Sequence, residues 1–324
     1  MRDHGGNLDQ AMAIFGGDDW IDLSTGINRV PYPVPALPSR AYTDLPTRSA
    51  MEGLLAVARR TYGLKDAAIA ALAGAQAAIQ TLPHIIGGPK RARVLGPTYN
   101  EHAASLRQAG WEVQEVTTIA ELRGADLAVV VNPNNPDGQS HPATTLLALR
   151  QEVGALVVDE SFADPRPDLS VVAHLGAPDL FVLRSFGKFY GLAGLRLGFV
   201  LGAEAQIAQI RQMAGPWPVC GAALAIGQQA LADTRWQQQT CARLHEDVIR
   251  MDSLAQRAGW QRAGGAELFR LYETPDATGA QTRLARARIW SRIFPWHPRW
   301  IRLGLPGSAQ EWARLEAVLT GEGQ

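Results

Sequence analysis

The feature that most constrains this chain is a succession of short, continuous apolar segments, each separated from the next by a stretch with helical spacing of its apolar residues. The segment 127–131 reads Leu-Ala-Val-Val-Val and contains no polar residue. A strand without polar alternation is buried on both faces, as a parallel sheet between two layers of helices requires. We therefore expect an α/β fold with a mostly parallel central sheet between helices.

The same two patterns recur along the chain and predict its elements. Short β-rich runs predict strands at 92–95, 111–116, 127–131, 155–158, 180–183 and 198–201. Helical spacing predicts helices at 51–62, 76–85, 101–109, 144–152 and 203–213. Beyond a Gly-Pro-Trp-Pro break, a smaller α+β lobe is indicated by helices at 221–232 and 235–258 and by strand-like runs at 268–272, 289–292 and 300–303.

The length of the chain, 324 residues, exceeds what one simple core usually serves, so we expect a division into domains. Residues 1–40, with their Pro-rich run, are expected to form an irregular arm that joins the small lobe. Residues 41–218 are expected to form the large domain, and residues 219–324 the small one.

The charge balance narrows the class of partner. The chain has 31 Lys and Arg residues against 31 Asp and Glu residues, which argues against nucleic acid or an acidic membrane as the main partner. No apolar stretch approaches the roughly 18 residues of a membrane span, and the first ten residues carry charges where a signal peptide is apolar. We therefore expect a cytoplasmic protein that acts on a small molecule.

Cysteine and lysine usage add two expectations. Cys220 and Cys241 offer neither a disulfide framework nor paired metal-ligand spacing, so we expect both to be buried apolar residues and expect no metal site. Only three of the 31 basic residues are lysines, at positions 65, 90 and 188. Arginine cannot replace an amine that must lose its proton. Lys65 and Lys90 lie in polar, turn-like segments typical of the surface, whereas Lys188 follows a predicted strand.

Chemically distinct side chains follow the predicted strands of the sheet. Tyr99, Asn135 and Asp159 each come after a different strand, and Ser185 and Lys188 follow a fourth. In open α/β sheets, ligands bind at the carboxyl ends of the strands. An amine that can form a Schiff base, a carboxylate to face a pyridine nitrogen, a stacking aromatic ring and phosphate donors together suit pyridoxal phosphate.

Each of these residues also has a plainer interpretation. Asp159 could be a helix N-cap, Asn135 a turn former and Tyr99 a core residue.

A Ser-x-x-Lys pair also opens the serine β-lactamase pattern, but the companion Ser-Asp-Asn and Lys-Thr-Gly triplets are absent. No Gly-x-Gly-x-x-Gly segment indicates a dinucleotide site.

One segment carries a specific resemblance. Residues 185–188 read Ser-Phe-Gly-Lys, and residues 191–198 read Gly-Leu-Ala-Gly-Leu-Arg-Leu-Gly. From position 42 to 303 the chain resembles the aspartate aminotransferase superfamily, fold type I of the pyridoxal-phosphate enzymes. Within that superfamily it is similar to histidinol-phosphate aminotransferases and, more closely, to the threonine-phosphate decarboxylases of cobalamin biosynthesis.

The resemblance implies roles for the cofactor residues. Lys188 would bind the cofactor covalently and act in catalysis, and Asp159 would face the pyridine nitrogen. Asn135 would bind the ring oxygen, and Tyr99 would stack on the ring. The cofactor phosphate would be held by the remaining residues, which are Gly74, Ala75 and Gln76 at a helix start, Ser185, Arg196, and Tyr42 from the partner of a homodimer with shared active sites.

Three further features resemble the decarboxylases and imply substrate residues. Phe162 stands where aminotransferases of this group carry a tyrosine, three residues after the aspartate. Residues 4–7 (His-Gly-Gly-Asn) and 22–28 match the decarboxylase arm, so that the phosphate of the substrate would meet His4 and the substrate site would include Asn28. Arg302 resembles the arginine that binds a substrate carboxylate across the superfamily, and Arg292, on the preceding strand-like run, would suit the substrate phosphate. His4 could equally be a mobile terminal residue, and either arginine a surface charge.

The expected function is therefore the pyridoxal-phosphate-dependent decarboxylation of L-threonine O-3-phosphate to (R)-1-amino-2-propanol O-2-phosphate in cobalamin biosynthesis. The alternative is an aminotransferase that acts on histidinol phosphate or another amino acid. A regulator built on a cofactor-binding domain is a third class, but no DNA-binding segment or basic stripe accompanies the cofactor residues.

Overall fold

The computed structural model describes residues 5–88 and 90–321. Its strands are, in chain order, β1 (Ile21–Asp22), β2 (Ala68–Leu72), β3 (Arg91–Leu95), β4 (Glu112–Val116), β5 (Leu127–Val131), β6 (Ala155–Asp159), β7 (Leu180–Ser185), β8 (Gly198–Gly202), β9 (Gln261–Ala266), β10 (Phe269–Glu273), β11 (Ile289–Trp290), β12 (Arg292–Phe294) and β13 (His297–Gly304). Its helices are α1 (Leu8–Phe15), α2 (Arg40–Thr43), α3 (Arg48–Thr61), α4 (Ala75–Ile85), α5 (Glu101–Gln108), α6 (Ala143–Arg150), α7 (Phe186–Phe189), α8 (Glu204–Ala214), α9 (Gly221–Ala232), α10 (Thr234–Arg257), α11 (Ala277–Arg286) and α12 (Ala309–Thr320).

A seven-stranded sheet forms the core of the larger of two compact units, which comprises Tyr32–Asn135 and Ser140–Trp236. The strand order is β2-β8-β7-β6-β5-β3-β4. Strands β4, β3, β5, β6 and β7 pair in parallel, and β8 is antiparallel to both of its neighbours. Every residue of β5 and β6 is buried, because the sheet is covered on both faces. The α/β fold with a mostly parallel central sheet is confirmed.

The smaller unit comprises the rest of the described chain. Strands β12, β13, β10 and β9 form an antiparallel sheet in that order. Strand β1 pairs in parallel with β11, so that Ile21 lies opposite Ile289. This unit therefore contains two sheets, helices α1, α11 and α12 and most of α10, as expected of an α+β lobe.

The compact units divide the chain at positions other than 40 and 218. Helix α9 packs against α3, so residues 219–236 lie with the large unit. Pro136–Gln139 lies with the small unit, because the backbone N–H of Gly265 in β9 donates to the carbonyl of Asp137 at 2.7 Å.

One expectation about cysteine is wrong. Cys220 is exposed rather than buried, because it is the N-cap residue of α9 and follows the Gly-Pro-Trp-Pro loop. Cys241, on α10, is partly exposed. In the residues that the structure describes, no helix combines the length and apolar character needed to cross a membrane.

Candidate active site

One cavity in the large unit brings together nearly all of the residues predicted for the cofactor. Its lining residues lie at or just after the carboxyl ends of β3, β5, β6 and β7, in the segment that follows β2, and just before β8. The predicted residues that line it are Gly74, Ala75, Gln76, Tyr99, Asn135, Asp159, Ser185, Lys188 and Arg196. The parallel strands explain this arrangement, since their carboxyl ends meet at one edge of the sheet.

Asp159 is the buried carboxylate of this cavity, with 3% of its surface exposed. Its Oδ2 lies 2.8 Å from Nε2 of His102. Its Oδ1 accepts hydrogen bonds from the backbone N–H of Ser161 at 2.9 Å and from the Ser161 hydroxyl at 2.5 Å. Burial opposes ionisation, but the hydrogen bonds from His102 and Ser161 outweigh it and keep the pKa of Asp159 below its ordinary value. Asp159 is therefore a negative charge held at the wall of the cavity.

The turn before α4 forms an anion site. Gly74 is the N-cap residue and has a φ of 82°, in the left-handed region that favours glycine. A methyl group on Gly74 would lie 2.6 Å from Nη2 of Arg196. Gly198 of β8 lets this turn lie against the sheet, because a methyl group there would meet the backbone nitrogen of Ala75 at 2.3 Å. The first backbone N–H groups of a helix have no acceptor within it, so α4 and Arg196 together suit an anion.

Lys188 lies on the short helix α7, directly after β7. A methyl group on Gly187 would lie 2.6 Å from Cα of Ala193, so this glycine allows the close return of the chain. Phe186 stacks on Tyr190 at 4.4 Å between ring centroids, and Tyr190 stacks on Trp236 at 5.5 Å. This aromatic stack supports the turn that carries the amine.

The loop that carries Asn135 is fixed by its neighbours. The side-chain amide of Asn134 accepts a hydrogen bond from the Thr98 hydroxyl at 2.6 Å and donates to the carbonyl of Pro97 at 3.0 Å. The adjacent residue, Tyr99, donates from its hydroxyl to Oε1 of Gln76 at 3.2 Å. The segments after β2, β3 and β5 are therefore joined by side-chain hydrogen bonds around the cavity.

Residues 40–315 match the family described as aminotransferase class I and II. The chain belongs to the class I and II aminotransferase family. Threonine-phosphate decarboxylase of Pseudomonas aeruginosa is 42% identical to it, over 99% of this chain and 98% of that protein. Threonine-phosphate decarboxylase of Sinorhizobium sp. is 41% identical, over 98% of this chain and 97% of that protein. The histidinol-phosphate aminotransferase structure from Clostridium acetobutylicum superposes with a TM-score of 0.81 at 19% identity, over 93% of this chain and 98% of that one.

In this member of the class I and II aminotransferase family, Tyr42 does not line the cavity of its own chain. It lies on α2 with 69% of its surface exposed, and Leu45 beside it is 65% exposed. The large unit therefore presents apolar side chains to the outside at the segment that was predicted to lie at a dimer interface.

The predicted substrate residues belong to the small unit, apart from His4, which lies outside the described residues. Arg292 and Arg302 are directly opposite each other in the β12–β13 pair. Arg302 is buried and donates from Nη2 to the carbonyl of Ser24 at 2.6 Å. Burial, with a further contribution from the Arg292 charge, lowers the pKa of Arg302 to about 9. Asn28 is also buried, and its Oδ1 accepts from Nη2 of Arg243 at 2.7 Å.

Sequence reasoning missed three polar residues of this family member's site. His102 and Ser161 bind Asp159, and Glu101 accepts a hydrogen bond from Nε2 of Gln76 at 3.0 Å. The Asp-x-Ser spacing was a signal for Ser161, since an aspartate often binds the backbone two residues later. His102 and Glu101 are buried at the start of α5. The helical spacing of the sequence there was equally compatible with a solvent-exposed position for both side chains.

Proposed function

We propose that this chain is a pyridoxal-phosphate-dependent decarboxylase that converts L-threonine O-3-phosphate to CO2 and (R)-1-amino-2-propanol O-2-phosphate. The observation that carries the proposal is the 41–42% identity, over nearly the whole of both chains, with two proteins named threonine-phosphate decarboxylase. Such a product fits the cobalamin pathway that the sequence suggested.

The donor set of the cavity fits pyridoxal phosphate. The start of α4, Ser185 and Arg196 would hold the phosphate. The Arg196 guanidinium lies so close to Gly74 that a side chain at position 74 would collide with it. Asn135 would bind the ring oxygen, and Tyr99 would lie against the ring. Asp159, whose ionised form is stabilised by hydrogen bonds with His102 and Ser161, would hold the proton on the pyridine nitrogen. When bound, pyridoxal phosphate supplies an electron sink for the electrons released at Cα of an amino acid.

The amine of Lys188 has two tasks in this proposal. It binds the cofactor before the substrate arrives, and after loss of CO2 it delivers a proton to Cα. Its Nζ lies 5.6 Å from the ring centroid of Phe162, which is 5% exposed. Phe162 thus gives the amine an apolar neighbour without a hydroxyl that could bind the cofactor oxygen.

The two arginines of the small unit support the proposed substrate class. Arg292 and Arg302 are cross-strand neighbours, and like charges in that position repel. An anionic ligand beside them relieves the repulsion that helps to lower the pKa of Arg302. Threonine phosphate carries both a carboxylate and a phosphate, so it can form ion pairs with both arginines, whereas free threonine has only the carboxylate.

The deciding assay supplies threonine phosphate to the purified enzyme with pyridoxal phosphate and without any keto acid. Sustained release of CO2 over many turnovers supports decarboxylation. A reaction that stops after one turnover and restarts on addition of 2-oxoglutarate assigns the chain to the alternative, an aminotransferase. Free threonine is the control, and we expect its specificity constant to be at least about thirtyfold lower, because a desolvated charge pair typically contributes 2–5 kcal/mol.

A homodimer with shared active sites and a cytoplasmic location complete the proposal. The exposed Tyr42 and Leu45 support an interface at α2. Sedimentation tests the assembly, and fractionation of the source cells tests the location.

A further inference from the structure

Arg184, Glu160 and Asp164 form a cluster of buried ion pairs. Glu160 and Arg184 are each next in sequence to a residue that lines the cavity. Arg184, 5% exposed, donates from Nη1 to Glu160 at 2.9 Å and from Nη2 to Asp164 at 3.0 Å. Its guanidinium also lies 4.4 Å from the ring centroid of Tyr62. Burial raises the pKa of both carboxyl groups, and the Arg184 charge opposes that effect. Arg184 is thus the cation that favours the ionised form of each carboxylate.

The cluster is adjacent in sequence to the cavity but faces away from it. Asp159 and Ser185 line the cavity, whereas their neighbours Glu160 and Arg184 bind each other. Successive side chains of a strand point to opposite faces of a sheet. The Glu160–Arg184 pair therefore lies on the other face, behind the ends of β6 and β7.

The pair bridges these two strands. The backbone N–H of Glu160 donates to the carbonyl of Leu183 at 2.9 Å, and the side chains add the Glu160–Arg184 contact one residue further along. Glu160 is itself held by the Ser170 hydroxyl at 2.6 Å and by the backbone N–H of Val171 at 2.8 Å. The first residue after β6 and the next-to-last residue of β7 are thereby joined on the face of the sheet opposite the cavity.

Stability alone gives little reason for such a pair, because apolar replacements of buried ion pairs are often neutral or stabilising. We propose that the Glu160–Arg184 bridge is a positioning element that holds the ends of β6 and β7 so that Asp159 and the turn carrying Ser185 and Lys188 face the same cofactor. The inference rests on the proposed function. It assigns Glu160 and Arg184 no contact with cofactor or substrate.

Two variants of equal charge test it. Glu160→Gln removes the carboxylate that bridges the strands and leaves Arg184 paired with Asp164. Asp164→Asn removes the other carboxylate and leaves the bridge intact. Both carboxylates are buried, at 0% and 8% side-chain exposure, and each substitution is isosteric. The pair of variants therefore separates positioning from the general cost of a neutralised buried charge.

Two measurements use the cofactor-free and the cofactor-bound protein. In the cofactor-free protein, we expect Glu160→Gln to speed hydrogen exchange at the amides of Glu160 and Ser161 at least about tenfold relative to Asp164→Asn. In titrations with pyridoxal phosphate, we expect Glu160→Gln to weaken binding at least about tenfold and to change the visible circular dichroism of the bound cofactor. Asp164→Asn should bind within about threefold of the wild type, with an unchanged spectrum.

Equal exchange rates and equal cofactor affinities in the two variants would overturn the inference. If Glu160→Gln does not fold, Ser170→Ala removes one hydrogen bond to Glu160 and keeps the pair. It should change exchange and affinity in the same direction by at least about threefold, and wild-type values would overturn the inference. A wild-type protein that binds no pyridoxal phosphate would refute the proposed function, and the exchange rates would still decide the role of the bridge.

Discussion

At the scale of single residues, the charge state of Asp159 depends on two side chains from different parts of the chain. Ser161 is close in sequence, whereas His102 comes from α5. A carboxylate with 3% exposure would be costly to bury alone, and these partners make the charged form the stable one.

Replacing Asp159 by asparagine should affect catalysis far more than folding. Without the carboxylate, the proton on the pyridine nitrogen is no longer held, and we expect kcat to fall at least about thirtyfold, a loss of about 2 kcal/mol. Asp164→Asn, another carboxylate removed in the same unit, is the control and should stay within about threefold of the wild type. Steady-state kinetics at saturating cofactor measure both. A kcat for Asp159→Asn within threefold of the wild type would contradict the proposed ionic role.

The lowered pKa of Asp159 also predicts a dependence of stability on pH. Because the pKa is lower in the folded state, the ionised carboxylate stabilises the fold above the unfolded value of about 3.9, and this contribution is lost as the pH falls through the folded value. The difference in free energy of unfolding between wild type and Asp159→Asn should therefore shrink below about pH 4. Urea unfolding of the cofactor-free proteins from pH 6 to pH 2.5 measures it, and a difference that grows in acid would show the opposite linkage.

Lys188 should be the residue that binds the cofactor covalently. Borohydride reduction followed by peptide mapping should label Lys188 in the wild type and leave Lys188→Ala without label. Lys65→Ala and Lys90→Ala are matched controls, because those are the other two lysines of the chain. A label at either control position in the wild type would exclude the assignment.

At the scale of elements, the turn between β2 and α4 is fitted to its neighbours by glycine. Gly74 combines a positive φ with an approach to Arg196 that leaves no room for a side chain. Two separate constraints, backbone conformation and space, therefore act on one position.

The variant Gly74→Ala tests the anion site. Gly63→Ala is the matched control, because Gly63 has a φ of 68° with nothing within 4 Å of an added methyl group. Both variants should lose about 1 kcal/mol of unfolding free energy to the unfavourable φ. Only Gly74→Ala displaces Arg196, and we expect it alone to weaken pyridoxal phosphate binding, at least about tenfold by equilibrium titration. Equal affinities in the two variants would argue against a phosphate at this turn.

Sequence patterns predicted β3 to β8 within two residues at each end. The buried strands β5 and β6 are continuous apolar runs, whereas the mostly exposed β4 alternates polar residues with valine. Strand β2 was not predicted, since its Ala-rich sequence, Ala68–Leu72, carries little β-propensity and is a strand only through pairing with β8. Strand β9 contains Gly264 and Gly265 and was missed for a similar reason. Helices α11 and α12 were also missed, although Asp276 and Ser308 are N-cap residues with side-chain hydrogen bonds.

The residues around the cavity could be predicted where they follow strands, since topology alone brings those positions together. His102 could not, because its contact with Asp159 depends on how α5 packs on the sheet. The contact between Glu160 and Arg184 depends likewise on the register of β6 and β7, which no local pattern specifies.

At the scale of the whole molecule, two compact units divide the proposed tasks. The cavity for the cofactor lies within the large unit, and the two arginines proposed for the substrate lie in the small one. The exposed Tyr42 contributes to neither of these tasks within its own chain, because its proposed role needs a second copy of the chain.

A dimer should be the active form. The variant Tyr42→Phe keeps the ring but loses the hydroxyl proposed to reach the partner's cofactor phosphate, so cofactor affinity should fall about tenfold while sedimentation stays that of a dimer. Trp296→Phe, at an exposed aromatic residue of the small unit, is the control and should change neither. A monomer with full activity at assay concentration would refute the shared site.

The pairing of β1 with β11 has a consequence for how the protein is made. Residues up to 236 include every strand of the seven-stranded sheet, so a chain emerging from the ribosome can complete that sheet and the cavity first. Ile21 and Asp22 must wait until Ile289 and Trp290 have been synthesised. Strand β1 is therefore among the first segments translated but pairs only after β11 has been made. A transcript cut short after the large unit would yield a protein with the residues proposed for the cofactor and without the arginines proposed for the substrate.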